Sequence, residues 1–299
     1  MLTIDRLTLQ LPYYPRWWRR EWTTCIESLS LHLQPGEVHA VVGASGAGKS
    51  LLAYAIMGLL PQAARVAGEL RFQGEDLTPA RQRQLRGHQL ALIPQSLNAL
   101  DPLARSQHQV RWAAQRAGFG RSAAHQRADE LLSRYQLSHA STHYPHELSG
   151  GMARRVLIAM AQVSNARLVI ADEPSVGLDP NQRDRVLAAL KAIALEGKAV
   201  MLITHDLRHA LTIADRVSVI RQGQALETAP AQAFQGQGEQ LMSCYARDLW
   251  QALPDNAFST HPFHPTHQEP ALAWNPPAIV PLCGRHAAVG GYLPTPCAR

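Results

Sequence analysis

Apolar positions along the chain follow two periods. Near the N-terminus Leu2, Ile4, Leu7 and Leu9 alternate with polar residues, and after Cys25 the positions Ile26, Leu29, Leu31 and Leu33 repeat the alternation, which predicts strands over 2–10 and 25–33. An aromatic and basic insert with Tyr13, Tyr14, Trp17, Trp18 and Trp22 separates them. After the turn Gln34-Pro35-Gly36-Glu37, the unbroken run Val38-His39-Ala40-Val41-Val42 reads as a buried strand, followed by a glycine loop and an apolar helix over 50–60. Between 97 and 144 strand signals vanish, and helices are predicted over 107–117 and 123–135, the second with Leu131, Leu132 and Tyr135 on one face. There follow a helix over 150–161, a strand over 168–171, and a helix capped by Asp179 with Pro180 at its first position. A strand over 199–204 and a hairpin over 217–225, turning at Gln222-Gly223, complete the series. Strands alternating with helices predict an α/β fold with a mostly parallel sheet and ligand loops at the strand C-terminal ends. From Pro254 onward nine prolines break helical continuity and predict a tail of turns and irregular structure.

Composition narrows the class. With 299 residues and 46% hydrophobic content the chain can bury a substantial core, which excludes a disordered chain, a collagen or a small disulfide scaffold. The apolar run over 51–60 is about half of the ~20 residues that a bilayer-spanning helix needs. The start Met1-Leu2-Thr3-Ile4-Asp5 lacks the basic-then-apolar order of a secretion signal, so a cytoplasmic chain with reduced Cys25, Cys244, Cys283 and Cys297 is expected. The formal charge of +6 comes almost wholly from scattered Arg, with a gathering at Arg16, Arg19 and Arg20. A solvated face is the plain reading of this pattern, and a nucleic-acid or anionic-lipid surface the sharper one. Lys occurs only at 49, 191 and 198, which sets Lys49 apart within its glycine loop.

That loop, Gly43-Ala44-Ser45-Gly46-Ala47-Gly48-Lys49-Ser50, fits the phosphate-loop spacing of glycine, four residues, glycine, lysine and serine. Its glycines let backbone N–H groups wrap a β-phosphate and the helix N-terminus adds a positive dipole; Lys49 is placed for the β and γ oxygens and Ser50 for magnesium. The alternative is a glycine-rich turn entering a buried helix. Leu168-Val169-Ile170-Ala171-Asp172-Glu173 ends a buried strand on two carboxylates, Asp172 to hold magnesium and Glu173 to polarise an attacking water as general base. Adjacent residues at a strand end diverge once the chain leaves the sheet, so the two acids can do different jobs. Ser149-Gly150-Gly151 at a helix start offers a second anion site.

Leu148-Ser149-Gly150-Gly151-Met152 resembles the signature motif of ABC-type ATPases, and its order between the phosphate loop and Asp172-Glu173 matches theirs. Gln95 in Ile93-Pro94-Gln95 resembles the family's glutamine loop, Ser175-Val176-Gly177-Leu178-Asp179 its dimer-contact loop, and His205 in Ile203-Thr204-His205-Asp206 its switch histidine. The resemblance covers about residues 1–254. It implies a P-loop NTPase core of ABC ATPase type with an antiparallel N-terminal β subdomain, an all-helical insertion and an irregular tail. The division it implies is 1–96 for the β subdomain and first part of the core, 97–149 for the helical subdomain, 150–235 for the rest of the core, and 236–299 for a Pro/His-rich extension. It further implies ATP and Mg2+, two ATPase subunits paired head to tail, and a signature motif that closes over the partner's ATP, with Asp179 at the dimer contact. His205 would contact the γ-phosphate and Gln95 would ligate magnesium. The family stacks adenine on an aromatic upstream of the phosphate loop, and of Trp17, Trp18 and Trp22 the last is placed best.

Tyr144 to Met152, Arg155 to Ala161, the stretch Ser96-Leu97-Asn98-Ala99-Leu100-Asp101-Pro102 and the segment Tyr245 to Pro254 are similar to the ATPases of oligopeptide, dipeptide and nickel importers. This implies a peripheral subunit on the cytoplasmic face of a bacterial inner membrane. Its implied partners are a second, paralogous ATPase, two permeases and an extracytoplasmic solute-binding protein, with no nucleic acid. Peptide, nickel ion and a metal–chelator complex stay open as solutes. Two departures stand out. Ser243-Cys244 replaces a His-Pro, and His261, His264 and His267 stand where the family's tail often carries cysteines; with Cys283, Cys297 and His286 downstream they could hold a transition metal or be plain surface histidines. A soluble ABC ATPase acting on ribosomes or DNA is the rival reading, although its usual second ATPase domain or long coiled-coil insertion is missing. A protein that holds ATP without turnover is a third, which an intact Glu173 and Lys49 oppose.

Overall fold

The computed structural model describes residues 1–164 and 166–254. Strands β1 (Leu2–Arg16) and β2 (Arg19–Leu33) form a long antiparallel hairpin, paired from Leu2↔Leu33 to Arg16↔Arg19. The aromatic and basic stretch expected to be an insert between two short strands is therefore the far half of this hairpin. It was hidden because its residues lack a buried alternation: positions 13–20 are all exposed.

Strand β3 (Val38–Val42) leads through the glycine loop into helix α1 (Lys49–Met57). The helix stops three residues short of the expected end, because Gly58 turns left-handed at φ 63 and closes the last turn with bonds to Ala55 and Tyr54. Strand β4 (Arg65–Phe72), the short β5 (Glu75–Asp76) and helix α2 (Pro79–Leu85), capped by Thr78, come next. None of these was expected, because most of β4 is solvent-exposed and shows no buried alternation. Strand β6 (Leu90–Ile93) precedes helices α3 (Ser106–Arg116), α4 (Arg121–Arg134) and α5 (Gly150–Val163). Then follow β7 (Leu168–Asp172), α6 (Pro180–Leu195), β8 (Ala199–Thr204), the short α7 (Leu207–Leu211), the hairpin β9 (Arg216–Arg221) and β10 (Gln224–Pro230), and α8 (Cys244–Gln251).

Two sheets result. The first is antiparallel with order β2-β1-β4-β5; the second has order β10-β9-β3-β8-β7-β6 and is parallel except for β10. The parallel strands are buried on both faces, which explains their unbroken apolar runs. Alternate residues feed two cores: Val38, Ala40, Val42, Val169, Ala171, Val200 and Leu202 pack with the helical layer, whereas Val41, Leu168, Ile170, Met201 and Ile203 pack with α1 and the antiparallel sheet. The loops at the C-terminal ends of β3, β6, β7 and β8 thus emerge along one edge of the sheet.

Helix α8 is tied back by Ser243, which caps it, and by Glu227, whose carboxylate accepts the Met242 and Ser243 amides at 2.8 Å each. Among the described residues no helix is long and apolar enough to cross a membrane. The tail residues His261, His264, His267, Cys283, His286 and Cys297 lie outside the described residues.

Candidate nucleotide site

At the C-terminal end of β3 the chain must reverse tightly to enter α1. Gly48 adopts φ 91, and a Cβ there would lie 2.7 Å from the Cys25 carbonyl oxygen; a Cβ on Gly43 would sit 2.1 Å from the carbonyl oxygen of Ile220. Glycine is required at both positions by backbone contact. Lys49, buried at the helix start, donates to the carbonyls of Gly43 at 2.7 Å and Ala44 at 2.9 Å, so its ammonium is held inside the curl of the loop. Burial pushes its pKa down, and the Glu173 and Asp172 carboxylates oppose the shift.

At the end of β7 the two acids part. Asp172, 2% exposed, points under the loop and accepts a hydrogen bond from Ser50. Burial pushes its carboxyl up, against the Ser50 bond and the charges of Lys49 and Arg154, while Glu173 adds to the rise. Its Oδ1 is buried without a hydrogen-bond partner. A buried carboxylate oxygen left open beside a serine hydroxyl is the donor set that a hard cation such as Mg2+ takes, and Gln95 supplies a further oxygen at the same cleft.

Glu173 sits at φ 46, a left-handed conformation that is strained for a side-chain-bearing residue by about 1–3 kcal/mol. Its carboxylate is held at the end of β8. There Oε1 accepts from Nδ1 of His205 at 2.8 Å and Oε2 from the Thr204 hydroxyl at 3.1 Å. The Thr204 oxygen in turn accepts the Asp206 amide at 3.1 Å, which fixes the turn that carries His205. The histidine ring stays half exposed and lines the cleft.

These residues meet around a cleft of about 640 Å³. Its walls include Ser45, Gly46, Gly48, Lys49, Ser50, Gln95, Glu173 and His205, with Thr23, Thr24 and Cys25 of β2 on the far side. Gly43, Ala44 and Ala47 form the inner curve of the loop. Trp22 stands one residue beyond this lining: the Arg65 guanidinium lies 3.7 Å and that of Arg20 4.4 Å from its ring centre. Trp22 itself is not among the residues that line the cleft.

The residues 148–152 do not line the cleft either. Ser149 caps α5 by accepting the Met152 amide at 3.3 Å, and Ser149 and Gly150 are exposed at that helix start, whose dipole suits an anion. Gly151 is buried against Gln182 of α6. Asp179, also exposed, caps α6 by accepting the Gln182 amide at 3.0 Å.

One residue that sequence reasoning passed over is Arg154, one turn into α5. Only 4% exposed, it donates to the carbonyls of Pro94 at 2.7 Å and Gln95 at 2.9 Å, and its charge also acts on Asp172. It thus clamps the segment that carries Gln95 to the helix that begins at Ser149. The charge pair Arg154-Arg155 within the mostly apolar α5 was the available signal. Thr204, the second holder of Glu173, was also missed, since nothing in a strand-ending threonine sets it apart.

Comparison with known proteins bears on this geometry. The profile of the ABC transporter family matches residues 26–176. The chain is 36% identical over 242 residues to the dipeptide transport ATP-binding protein DppD of Escherichia coli, covering 78% of this chain and 73% of that protein. Over 214 residues it is 36% identical to the oligopeptide transport ATP-binding protein OppD of Bacillus subtilis, covering 68% and 60%. Among solved structures, the dimeric post-hydrolysis ATP-binding cassette MJ0796 with ADP and Pi shares the fold at TM-score 0.68 and 24% identity, over 77% of this chain and 99% of that one. An ATP-binding subunit of an ABC transporter matches at TM-score 0.67 and 25% identity, over 83% and 98%. This chain belongs to the ABC transporter family, as an ABC-type ATPase.

Proposed function

We propose that this ATPase powers import of peptides, as a peripheral subunit bound through two permeases to the cytoplasmic face of a bacterial inner membrane. An extracytoplasmic solute-binding protein would deliver the peptide. The names of its relatives, which transport dipeptides and oligopeptides, favour peptide over nickel or a metal–chelator complex.

One observation carries the mechanism: the Glu173 carboxylate is held by His205 and Thr204 at the cleft, while the exposed Ser149-Gly150 helix start lies outside it. In this reading ATP enters the cleft with its phosphates against the loop over 43–50. Lys49 exchanges the Gly43 and Ala44 carbonyls for phosphate oxygens, which lets its ammonium follow the developing charge. Ser50, Asp172 and Gln95 would hold Mg2+, which when bound neutralises phosphate charge. Glu173 orients the attacking water and takes its proton; His205, already bonded to Glu173 through one nitrogen, presents the other to the γ-phosphate. Because Ser149 lies outside the cleft of its own chain, it is free to seal the cleft of a paralogous partner subunit, with Asp179 at the contact.

The reading is tested in the assembled transporter. Glu173→Gln should keep ATP binding, lower hydrolysis by roughly 100-fold or more, and abolish uptake of a labelled dipeptide. Uptake of nickel but not dipeptide by the parent transporter would overturn the peptide assignment, and unchanged hydrolysis in the variant would overturn the role of Glu173.

A further inference from the structure

The distal half of the β1–β2 hairpin has no place in the ATPase site. Pairing of β1 with β4 ends at Gln10↔Arg65, whereas its pairing with β2 runs on to Arg16↔Arg19. Six residues at about 3.3 Å each make a two-stranded ribbon that projects roughly 20 Å past the sheet. A ribbon of this kind has little stability of its own in water. Nevertheless it exposes Trp17 to 85%, Trp18 to 63%, Tyr14 to 59% and Tyr13 to 44%. So many large rings on an unsupported tip call for something that covers them.

The chemistry of the tip identifies the cover. No aliphatic side chain accompanies the rings at positions 13–20, and three exposed arginines, Arg16, Arg19 and Arg20, lie among them. The nearby acid Glu21 is taken up by Arg19 at 2.8 Å and by the Tyr13 hydroxyl, and among the described residues no carboxylate pairs with Arg16 or Arg20. Tyr, Trp and Arg are also enriched at protein interfaces, an occupant that the vesicle test below separates from a bilayer. Stacking of nucleobases needs open ring faces; Arg20 and Arg65 lie over the Trp22 ring, Arg16 sits over Trp18 at 5.6 Å and Trp17 meets Trp18 edge to face at 5.2 Å, so nucleic acid is the second occupant that the test decides. Exposed Trp and Tyr rings interleaved with arginines suit the headgroup level of a bilayer, where Trp and Tyr sit at the apolar boundary and Arg meets lipid phosphate.

We propose that the Tyr13–Trp18 tip of the first hairpin, with Arg16 and Arg20, is an anchor that seats this chain on an anionic membrane surface. The proposal does not depend on which solute is carried.

The test uses the full chain with vesicles of phosphatidylcholine, with and without phosphatidylglycerol. The expected result is binding to the anionic vesicles only, weakened by salt, with quenching of tryptophan emission by brominated lipid. Arg16→Gln with Arg20→Gln should weaken binding roughly 30-fold, and Trp17→Ser with Trp18→Ser should remove both binding and quenching. Binding of a fluorescent ATP analogue reports that each variant is folded and separates failure of the anchor from failure of the nucleotide site. Absence of binding by the parent chain, equal binding by folded variants, or binding to single-stranded DNA in place of vesicles would each overturn the proposal.

Discussion

Arg154→Met removes the clamp between the signature helix α5 and the glutamine segment while keeping most of the side-chain volume. Two hydrogen bonds from a charged donor are lost, at 2.7 and 2.9 Å, each worth about 1.5–3 kcal/mol. Part of that is returned, because a guanidinium whose pKa is lowered mainly by burial no longer has to be desolvated. The balance is a loss of about 2–3 kcal/mol, which for a domain of this size lowers Tm by roughly 5–10 °C. Functionally, the carbonyls of Pro94 and Gln95 are released, so the segment that carries Gln95 to the cleft is no longer fixed. In the proposed mechanism Gln95 ligates Mg2+, and loss of a group that positions a metal ligand typically costs 10–100-fold in metal affinity, so the Mg2+ concentration that half-saturates ATP hydrolysis should rise about 10-fold. Binding of ATP without Mg2+ should change little. Arg154→Lys keeps the charge without the two-pronged reach and should fall between. Differential scanning calorimetry and a Mg2+ titration at saturating ATP make the comparison. If Arg154→Met melted within about 2 °C of the parent and kept its Mg2+ requirement, the clamp would have no part in the site.

Gly43→Ala places a Cβ 2.1 Å from the Ile220 carbonyl oxygen, so β3 and β9 must separate at the mouth of the phosphate loop. Binding of a fluorescent ATP analogue should be lost, with a thermal melt lowered by about 2 kcal/mol or more; unaltered binding would refute the contact argument. Tyr135 is buried with its hydroxyl donating to Gln162 at 2.5 Å; burial and the nearby Glu196 push its pKa up to about 12 against the opposing charge of Arg134. The folded state therefore holds this proton more tightly than the unfolded chain, so the contribution is complete below pH 10 and is lost between about pH 10 and 12. Tyr135→Phe should flatten that part of the pH–stability curve measured by urea unfolding. Asp179→Ala removes the cap of α6 and should cost about 1 kcal/mol, with Asp179→Ser recovering most of it; a larger loss in hydrolysis by the assembled transporter than in stability would separate a dimer contact from capping alone.

Much of this architecture could be read from residue patterns. The strand over Ala199–Thr204 appears at its expected bounds, and α5 and α6 begin where Ser149 and Asp179 cap them, because caps and doubly buried strands write strong local signals. What escaped were elements whose sequence does not report their environment. Strand β4 owes its place to pairing with β1 along Leu2↔Phe72 to Gln10↔Arg65, and its exposed side chains carry no period. The far hairpin has the same origin. At the site, Lys49, Ser50, Gln95, Glu173 and His205 converge from four separate stretches onto one cleft, in keeping with the motif order. Trp22 lies one residue before the lining residue Thr23, with Arg20 and Arg65 over its ring, and such contacts leave no mark in spacing. Arg154 was opaque for another reason: what a buried charge serves depends on carbonyls 60 residues away.

The split of the interior into two cores has a bearing on how this ATPase would fail. Val41 belongs to one core and Val42 to the other, and the next residue is Gly43, wedged under Ile220. The catalytic loop is therefore indexed against both layers at once. Cavity-forming substitutions such as Leu190→Ala on the helical side or Leu52→Ala on the opposite side would surface first as heat-sensitive loss of nucleotide grip, well before the polypeptide unravels.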